Sequence, residues 1–178
     1  MVLQNERFRF IWRVTAAHTI AYFVAGVIAM NALNYTELFP RLLIMRPITD
    51  PIIALGAGLQ VIRGVLIALI LLPVYKVLTE GKYGFLKLGL LLLGLSVLST
   101  FAAASGSFEG FIYTTIPVSE QIVGYTEAVI WILLFIGIFA AFYMFEKKAI
   151  TILSIVCVVL IVLMSVMGYL VRLNIIQT

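Results

Sequence analysis

Five apolar segments, each long enough to cross a lipid bilayer, constrain this chain more than any other feature. They cover about residues 10–32, 51–75, 84–104, 122–145 and 149–171. A membrane span needs about 20 mainly apolar residues, and in lipid the backbone polar groups must be hydrogen-bonded within the protein, which a helix does internally. The sequence therefore predicts an all-α fold, a polytopic integral membrane bundle of five transmembrane helices.

The overall composition points to the same class of protein. Of the 178 residues, 63% are hydrophobic and 11% are charged, and the mean hydropathy is +1.17. A soluble domain is about half apolar, so the excess must face lipid. The connections are too short to form a separate soluble domain, and residues 1–178 are predicted to form a single membrane domain within the lipid bilayer of the cytoplasmic (plasma) membrane.

The distribution of Lys and Arg predicts the orientation, because both residues accumulate in cytoplasmic connections. With the N-terminus inside, eight cations lie on the inner side and three on the outer side. The inner set is Arg7, Arg9, Arg13, Lys76, Lys82, Lys87, Lys147 and Lys148, and the outer set is Arg41, Arg46 and Arg172. We therefore predict an N-in, C-out topology. Cations scattered in ones and twos between apolar blocks do not form a nucleic-acid-binding surface.

The second outer connection, residues 105–121, has an unusual composition for a solvated loop. It contains no Lys or Arg, many small and apolar residues, and the carboxylates Glu109 and Glu120. Irregular backbone is tolerated at membrane depth where protein covers it or where it lines a wet cavity. Two interpretations stay open, a re-entrant or interfacial segment and an ordinary outer loop.

Arg63 lies in the middle of the second span, in the stretch LQVIRGVL. It follows the start of the span by twelve residues, which places it about 18 Å below the boundary of a core about 30 Å thick. An arginine at this depth costs about 2.5–3.5 kcal/mol on insertion scales, and such side chains usually face the bundle interior beside a partner. Gln60 lies on the same helical face. The sequence therefore predicts a polar site between the helices.

Three further residues are candidates for this site. By helical rise, His18 in the first span lies at nearly the depth of Arg63. Glu127 in the fourth span lies about 10 Å nearer the outer surface, within reach of a long arginine side chain. Glu109 is a candidate because its glycine-flanked segment can fold over the same place. Arg63 with Glu127 is the preferred pair, either as a structural ion pair or as part of a ligand, ion or proton site.

Neither a catalytic motif nor a metal site is predicted. The sequence contains no HExxH, GxSxG or phosphate-loop pattern. A metal site needs more His, Cys or carboxylate ligands at helical spacing than this chain provides. No cofactor is predicted, but haem bound through His18 stays as an alternative that requires a second ligand from another subunit.

Alanines recur at every fourth position of the first span, at Ala17, Ala21, Ala25 and Ala29. Such a smooth face allows another helix to pack closely. The partner helix can belong to this bundle, to a second copy of the chain or to another membrane subunit. All three interpretations stay open.

These features favour a small membrane protein with an outward-opening polar intramembrane site, acting as a transporter or as a ligand-binding membrane component. Arginine provides a fixed charge and a glutamate can titrate, so the site suits an anionic or zwitterionic solute or coupling to protons. The first alternative is a non-catalytic accessory or assembly subunit of a membrane complex. The second is an intramembrane enzyme or a lipid-binding protein, although an enzyme is not expected here.

Overall fold

A computed structural model describes residues 2–33, 37, 46–97, 107–145 and 147–176. This part of the chain is helical, with short connections and no strand. Its helices are α1 (Val2–Ala32), α2 (Pro51–Leu71), α3 (Tyr75–Thr79), α4 (Gly84–Val97), α5 (Phe108–Tyr113), α6 (Val118–Met144) and α7 (Lys148–Arg172). The predicted all-α fold is confirmed for these residues.

Four helical stretches among the described residues are long and apolar enough to cross a membrane. They are Glu6–Ala32, Pro51–Thr79, Val118–Met144 and Lys148–Arg172. They agree with the predicted membrane helical bundle. α4 covers only 14 residues, and the rest of the predicted third span, up to residue 104, lies outside the described residues. The predicted third span, and with it the total of five spans, therefore stays a prediction.

The second span is broken near its end. α2 ends at Leu71, Leu72–Val74 forms a 3-10 turn that contains Pro73, and α3 continues the path over Tyr75–Thr79. Proline has no backbone N–H and its ring clashes with the preceding turn, so it interrupts an α-helix. The predicted span of 51–75 thus consists of an α-helix, a 3-10 turn and the first residue of a second, short α-helix.

α1 is the central helix of the bundle and packs against α2, α6 and α7. Residues 14–19 are all buried. Six consecutive residues cover the whole circumference of a helix, which repeats every 3.6 residues, so helices or their side chains surround α1 at this level. α1 has the lowest mean hydropathy of the four span-length helices, 1.4, whereas α7 reaches 3.0. The least apolar helix is therefore the one most protected from lipid.

The alanine face of α1 lies inside this packing. Ala17, Ala21, Ala25 and Ala29 are fully buried by the chain's own helices. This agrees with the interpretation of internal packing for that face. The predicted contact of this face with a partner subunit or a second copy stays a prediction.

Glycines allow the helices to approach closely. A Cβ added at Gly64 of α2 would lie 3.0 Å from the Cα of Thr15 and 3.1 Å from its carbonyl oxygen. A Cβ added at Gly58 would lie 3.0 Å from the Cβ of Ser165 on α7. Small residues at such contacts are the usual means of packing membrane helices, because lipid provides little hydrophobic driving force between them. α2 is therefore fixed against α1 on one side and α7 on the other.

One end of the bundle collects the starts of α1, α4 and α7 and the ends of α3 and α6. Trp12 donates a hydrogen bond to Ser154 on α7 (3.2 Å). The ring of Phe10 packs against Tyr75 of α3, with 5.6 Å between ring centroids. We call this the basic end, because Arg7, Arg9, Arg13, Lys76, Lys82, Lys87, Lys147 and Lys148 belong to these helix ends. The grouping is the one that the sequence predicts, whereas the side of the membrane that it faces stays a prediction.

At the opposite end, Asp50 and Arg172 join the start of α2 to the end of α7. Asp50 is the N-cap of α2 and accepts a hydrogen bond from the backbone N–H of Ile52 (3.0 Å). Its carboxylate also forms an ion pair with Arg46 (2.9 Å). Arg172, the last residue of α7, donates to the carbonyl oxygens of Ile48 (2.6 Å) and Asp50 (3.0 Å). The Ile52 N–H, followed by the two guanidinium groups, holds the pKa of Asp50 below its ordinary value of 3.8.

We expect Gly64→Ala to lower the stability of the bundle. The new methyl group would press on the backbone of Thr15, and overpacking of this kind costs about 1–3 kcal/mol. Gly137→Ala is the matched control, because a Cβ there meets no atom within 4 Å. Replacing Gly by Ala favours the helix by about 1 kcal/mol in both variants. The difference between their free energies of unfolding in mixed micelles therefore measures the steric cost of the new methyl group at residue 64. Equal stability of the two variants would contradict the close contact.

We expect Asp50 to make stability dependent on acidic pH. Its folded pKa is lowered, so its contribution is present above the unfolded pKa and is lost as pH falls through the lowered value. Asp50→Asn keeps an N-capping side chain without the charge. Thermal unfolding followed from about pH 5 to about pH 2 should therefore decline more steeply for the wild type than for the variant. Parallel curves would exclude this role for Asp50.

Candidate functional site

His18 is buried where α1 meets α2 and α6. Its Nε2 lies 3.1 Å from Oε1 of Gln60 on α2, while Nε2 of Gln60 donates to the carbonyl oxygen of Gly56 (3.3 Å). Because an amide oxygen can only accept, this pattern assigns the ring proton of His18 to Nε2. Nδ1 is then a hydrogen-bond acceptor.

Two buried polar atoms beside this contact have no hydrogen-bond partner among the described residues. They are Nδ1 of His18 and Nε1 of Trp131 on α6. The two rings meet edge to face, with 5.4 Å between their centroids. A buried polar group left without a hydrogen bond costs about 1–3 kcal/mol. One acceptor and one donor with unused hydrogen-bonding capacity therefore lie together inside the bundle.

Arg63 lies at the edge of this contact. It follows Gln60 by three residues on the same face of α2, and its charge acts on His18 and on Tyr22, one turn after His18. Its side chain is exposed, although the sequence predicted an enclosed position. Among the described residues Arg63 takes part in no ion pair. The structure thus places Arg63 beside His18 and Gln60, as the helical rise predicted, but at the rim of the polar site.

Glu127 approaches the same place from α6. It is half-buried, lies one turn before Trp131, and its charge acts on Tyr22. The charges of Glu127 and Arg63 both act on Tyr22, and the preferred pair of Arg63 with Glu127 stays a prediction. α2 and α6 both pack against α1, so Arg63 and Glu127 approach the same place from two different helices.

Glu109 belongs to α5, a short helix held to the start of α6. Ser107 caps α5 by accepting from the N–H of Gly110 (3.0 Å), and buried Gln121 donates to the carbonyl oxygens of Gly110 and Ile116 (3.1 Å each). The side chain of Glu109 lies outside the described part, so its proposed role in the site stays a prediction. The same holds for the entry of residues 105–121 into the membrane.

The residues that meet here form what we call the polar junction, defined as His18, Tyr22, Gln60, Arg63, Glu127 and Trp131. His18 lies near the middle of α1 and Trp131 near the middle of α6, so the junction lies at about mid-depth of the spans. Nearer the end opposite the basic end, a Cβ added at Gly26 or at Gly56 would meet no atom within 4 Å. Neither α1 at Gly26 nor α2 at Gly56 is therefore tightly packed by the described residues.

Sequence reasoning did not identify Tyr22 and Trp131 as site residues. Both follow a predicted site residue by four positions, Tyr22 after His18 and Trp131 after Glu127. Residues four apart lie on the same face of a helix, so this spacing was the available signal. Aromatic side chains in membrane helices are usually packing residues, so this spacing was not interpreted as a sign of a site.

Metal and haem binding gain no support from this geometry. Among the described residues, no group of three or more His, Cys, Asp or Glu side chains could hold a metal ion. The ring of His18 is fully buried and its Nε2 is bonded to Gln60. A haem bound through Nε2 would displace that hydrogen bond, and haem binding stays an untested alternative.

Comparison with family models, with curated proteins and with solved structures gave no match for this chain. The fold is a helical bundle with four helices long and apolar enough to cross a membrane among the described residues. The polar junction lies at about mid-depth of these helices, and the function has to be argued from it.

We expect His18 and Gln60 to be energetically coupled. In a double-mutant cycle with His18→Ala and Gln60→Ala, the loss of one hydrogen bond should give a coupling of about 0.5–1.5 kcal/mol in the free energy of unfolding. The control cycle pairs Gln60→Ala with Thr19→Ala, because the Thr19 hydroxyl donates to the carbonyl oxygen of Thr15 in its own helix (2.9 Å). Additive effects in the first cycle would contradict the interhelical bond.

Proposed function

We propose that this protein binds a small anionic or zwitterionic solute at the polar junction, as a transporter or as the ligand-binding component of one. The observation that carries the proposal is Arg63, a permanent cation at mid-depth of a span with no ion-pair partner among the described residues. A central arginine costs about 2.5–3.5 kcal/mol to insert, and a charge of this kind in a span generally marks a solute or ion pathway.

The chemistry of the junction favours a carboxylate-bearing ligand. The planar guanidinium of Arg63 presents paired donors that match a carboxylate, and charge-assisted hydrogen bonds of this type are about twice as strong as neutral ones. Nδ1 of His18 can accept from an N–H or O–H group, and Nε1 of Trp131 can donate. A ligand that carries a carboxylate and a hydrogen-bond donor, such as an amino acid or a hydroxy acid, uses all three groups.

The open space at Gly26 and Gly56 supports entry from the end opposite the basic end. In the proposed topology the chain has five spans with the N-terminus inside and the basic end at the cytoplasmic face of the plasma membrane, so the junction opens outward. The hydrogen bond between His18 and Gln60 then joins two of the three helices that surround the ligand. Binding can therefore alter how α2 sits on α1.

The experiment uses the fluorescence of Trp131. The chain has two tryptophans, so Trp12→Phe leaves Trp131 as the reporter. The protein in nanodiscs is titrated with glycine, aspartate and lactate, and with choline as a cation of similar size. We expect at least one carboxylate to change the emission saturably, with no response to choline. Arg63→Gln should weaken the affinity at least about tenfold, because hydrogen bonds to a charged group contribute about 1.5–3 kcal/mol.

The matched control is Lys82→Gln, which removes one exposed cation from the basic end and should leave the affinity unchanged. Thermal stabilisation of the unmodified chain by the same solutes provides a second measurement that does not depend on the Trp12 replacement. If no carboxylate binds in either measurement, or if Arg63→Gln binds as tightly as Lys82→Gln, the proposal is wrong. The role of an accessory subunit would then be favoured.

A further inference from the structure

A second charged feature lies at the basic end, between the start of α1 and the start of α7. It is a cleft of about 300 Å³. The residues that line it are Arg9, Trp12, Arg13, Lys147, Lys148 and Thr151. Four of these six are cations and, among the described residues that line it, none is acidic. Glu146, which precedes Lys147 in the sequence, lies outside the described residues.

The cleft is distinct from a neighbouring one of about 240 Å³ on the other side of Arg9 and Arg13. Glu6 and Glu80 both line that second cleft, so its charges are mixed. Among the described residues that line the cleft between α1 and α7, every charged side chain is positive. The tendency of cations to collect at one membrane face explains why the basic end has many of them. It does not explain why four of them line the same cleft.

Packing fixes the positions of the groups that form the cleft. Trp12 donates to Ser154 on α7 (3.2 Å), so its indole ties the two walls together. The guanidinium carbon of Arg13 lies 4.3 Å from the centre of the Tyr143 ring, which orients that side chain. Arg9 lies one turn before Arg13 on the same face of α1. The cationic groups thus belong to α1 and to the start of α7, two helices that contact each other through Trp12 and Ser154.

The start of α7 adds to the positive potential of the cleft. α7 is 25 residues long, and its N-cap, Lys147, makes no side-chain capping hydrogen bond. The N-terminus of a helix carries a partial positive charge and binds anions through these N–H groups. The hydroxyl of Thr151, in the first turn, is a further donor. Together with four cationic side chains, this arrangement suits a phosphate group.

An apolar surface continues from the cleft along α7. Ile155 and Val159 follow Lys148 by seven and eleven residues, so all three lie on one face of the helix. Ile155 is 44% exposed and Val159 is 49% exposed on the surface of the chain, where lipid tails would contact them. A molecule whose phosphate occupies the cleft can therefore extend an acyl chain along α7. This continuity favours a lipid over a soluble phosphate compound.

We propose that the cleft between α1 and α7 binds the phosphate headgroup of an anionic phospholipid from the membrane leaflet at the basic end. Basic clefts between membrane helices are established binding sites for such headgroups. A zwitterionic headgroup places a second positive charge against the same cations and binds less tightly. The site holds α1 and α7 through the lipid as well as through Trp12.

The test uses Trp12 as the reporter, with Trp131→Phe to remove the other tryptophan. The protein in a neutral detergent is titrated with short-chain phosphatidylglycerol, with phosphatidylcholine of the same chains, and with glycerol 3-phosphate. We expect a saturable change in Trp12 emission with phosphatidylglycerol and binding at least tenfold weaker with the other two probes. Native mass spectrometry of the unmodified chain, counting phosphatidylglycerol and phosphatidylcholine adducts, gives a second measurement that does not require the Trp131 replacement.

Two variants with the same loss of charge separate the cleft from general attraction. Arg9→Gln with Lys148→Gln removes two cations from the cleft, whereas Arg7→Gln with Lys87→Gln removes two exposed cations of the basic end that do not line it. The first pair should weaken phosphatidylglycerol binding at least tenfold and the second less than twofold. Equal weakening by both pairs, equal binding of phosphatidylcholine, or equal binding of glycerol 3-phosphate would each overturn the proposal.

Discussion

The contact between α1 and α2 at Thr15 and Gly64 sets the positions of the other helices. Because Gly64 has no side chain, the two backbones approach to the limit that sterics allow. Gln60, one turn earlier on α2, then reaches His18. α6 covers α1 from another side, with Trp131 against His18. The polar junction is therefore a product of close packing around α1, and it exists only while α2 stays in place.

The spans could be predicted from the sequence because lipid leaves few alternatives to a helix. The ends of α7 agree with the predicted 149–171 to within one residue. α6 begins earlier than predicted, at Val118, because Pro117 provides a natural start for a helix that continues through polar residues. The break at Leu72–Val74 was not predicted, since apolar residues surround Pro73 on both sides and the hydropathy pattern does not change there.

The candidate site was predictable in depth but not in lateral arrangement. The rise per residue of a helix is fixed, so counting residues brought His18, Gln60 and Arg63 to one level. Which helices lie side by side depends on contacts such as Gly58 with Ser165, and the sequence offers several ways to match small residues. The predicted pair of Arg63 with Glu127 depends on such lateral contacts, and it stays a prediction. The alanine repeat of α1 likewise did not reveal whether its partner was internal.

The central position of α1 has a consequence for biogenesis. α1 precedes the helices that surround it, so the ribosome completes it first, and His18 enters the translocation channel before Gln60, which lies 42 positions later. Mean hydropathy of 1.4 makes α1 the weakest insertion signal of the four span-length helices. Release of α1 alone would leave His18 facing acyl chains without Gln60, so joint lateral release of α1 and α2 is expected.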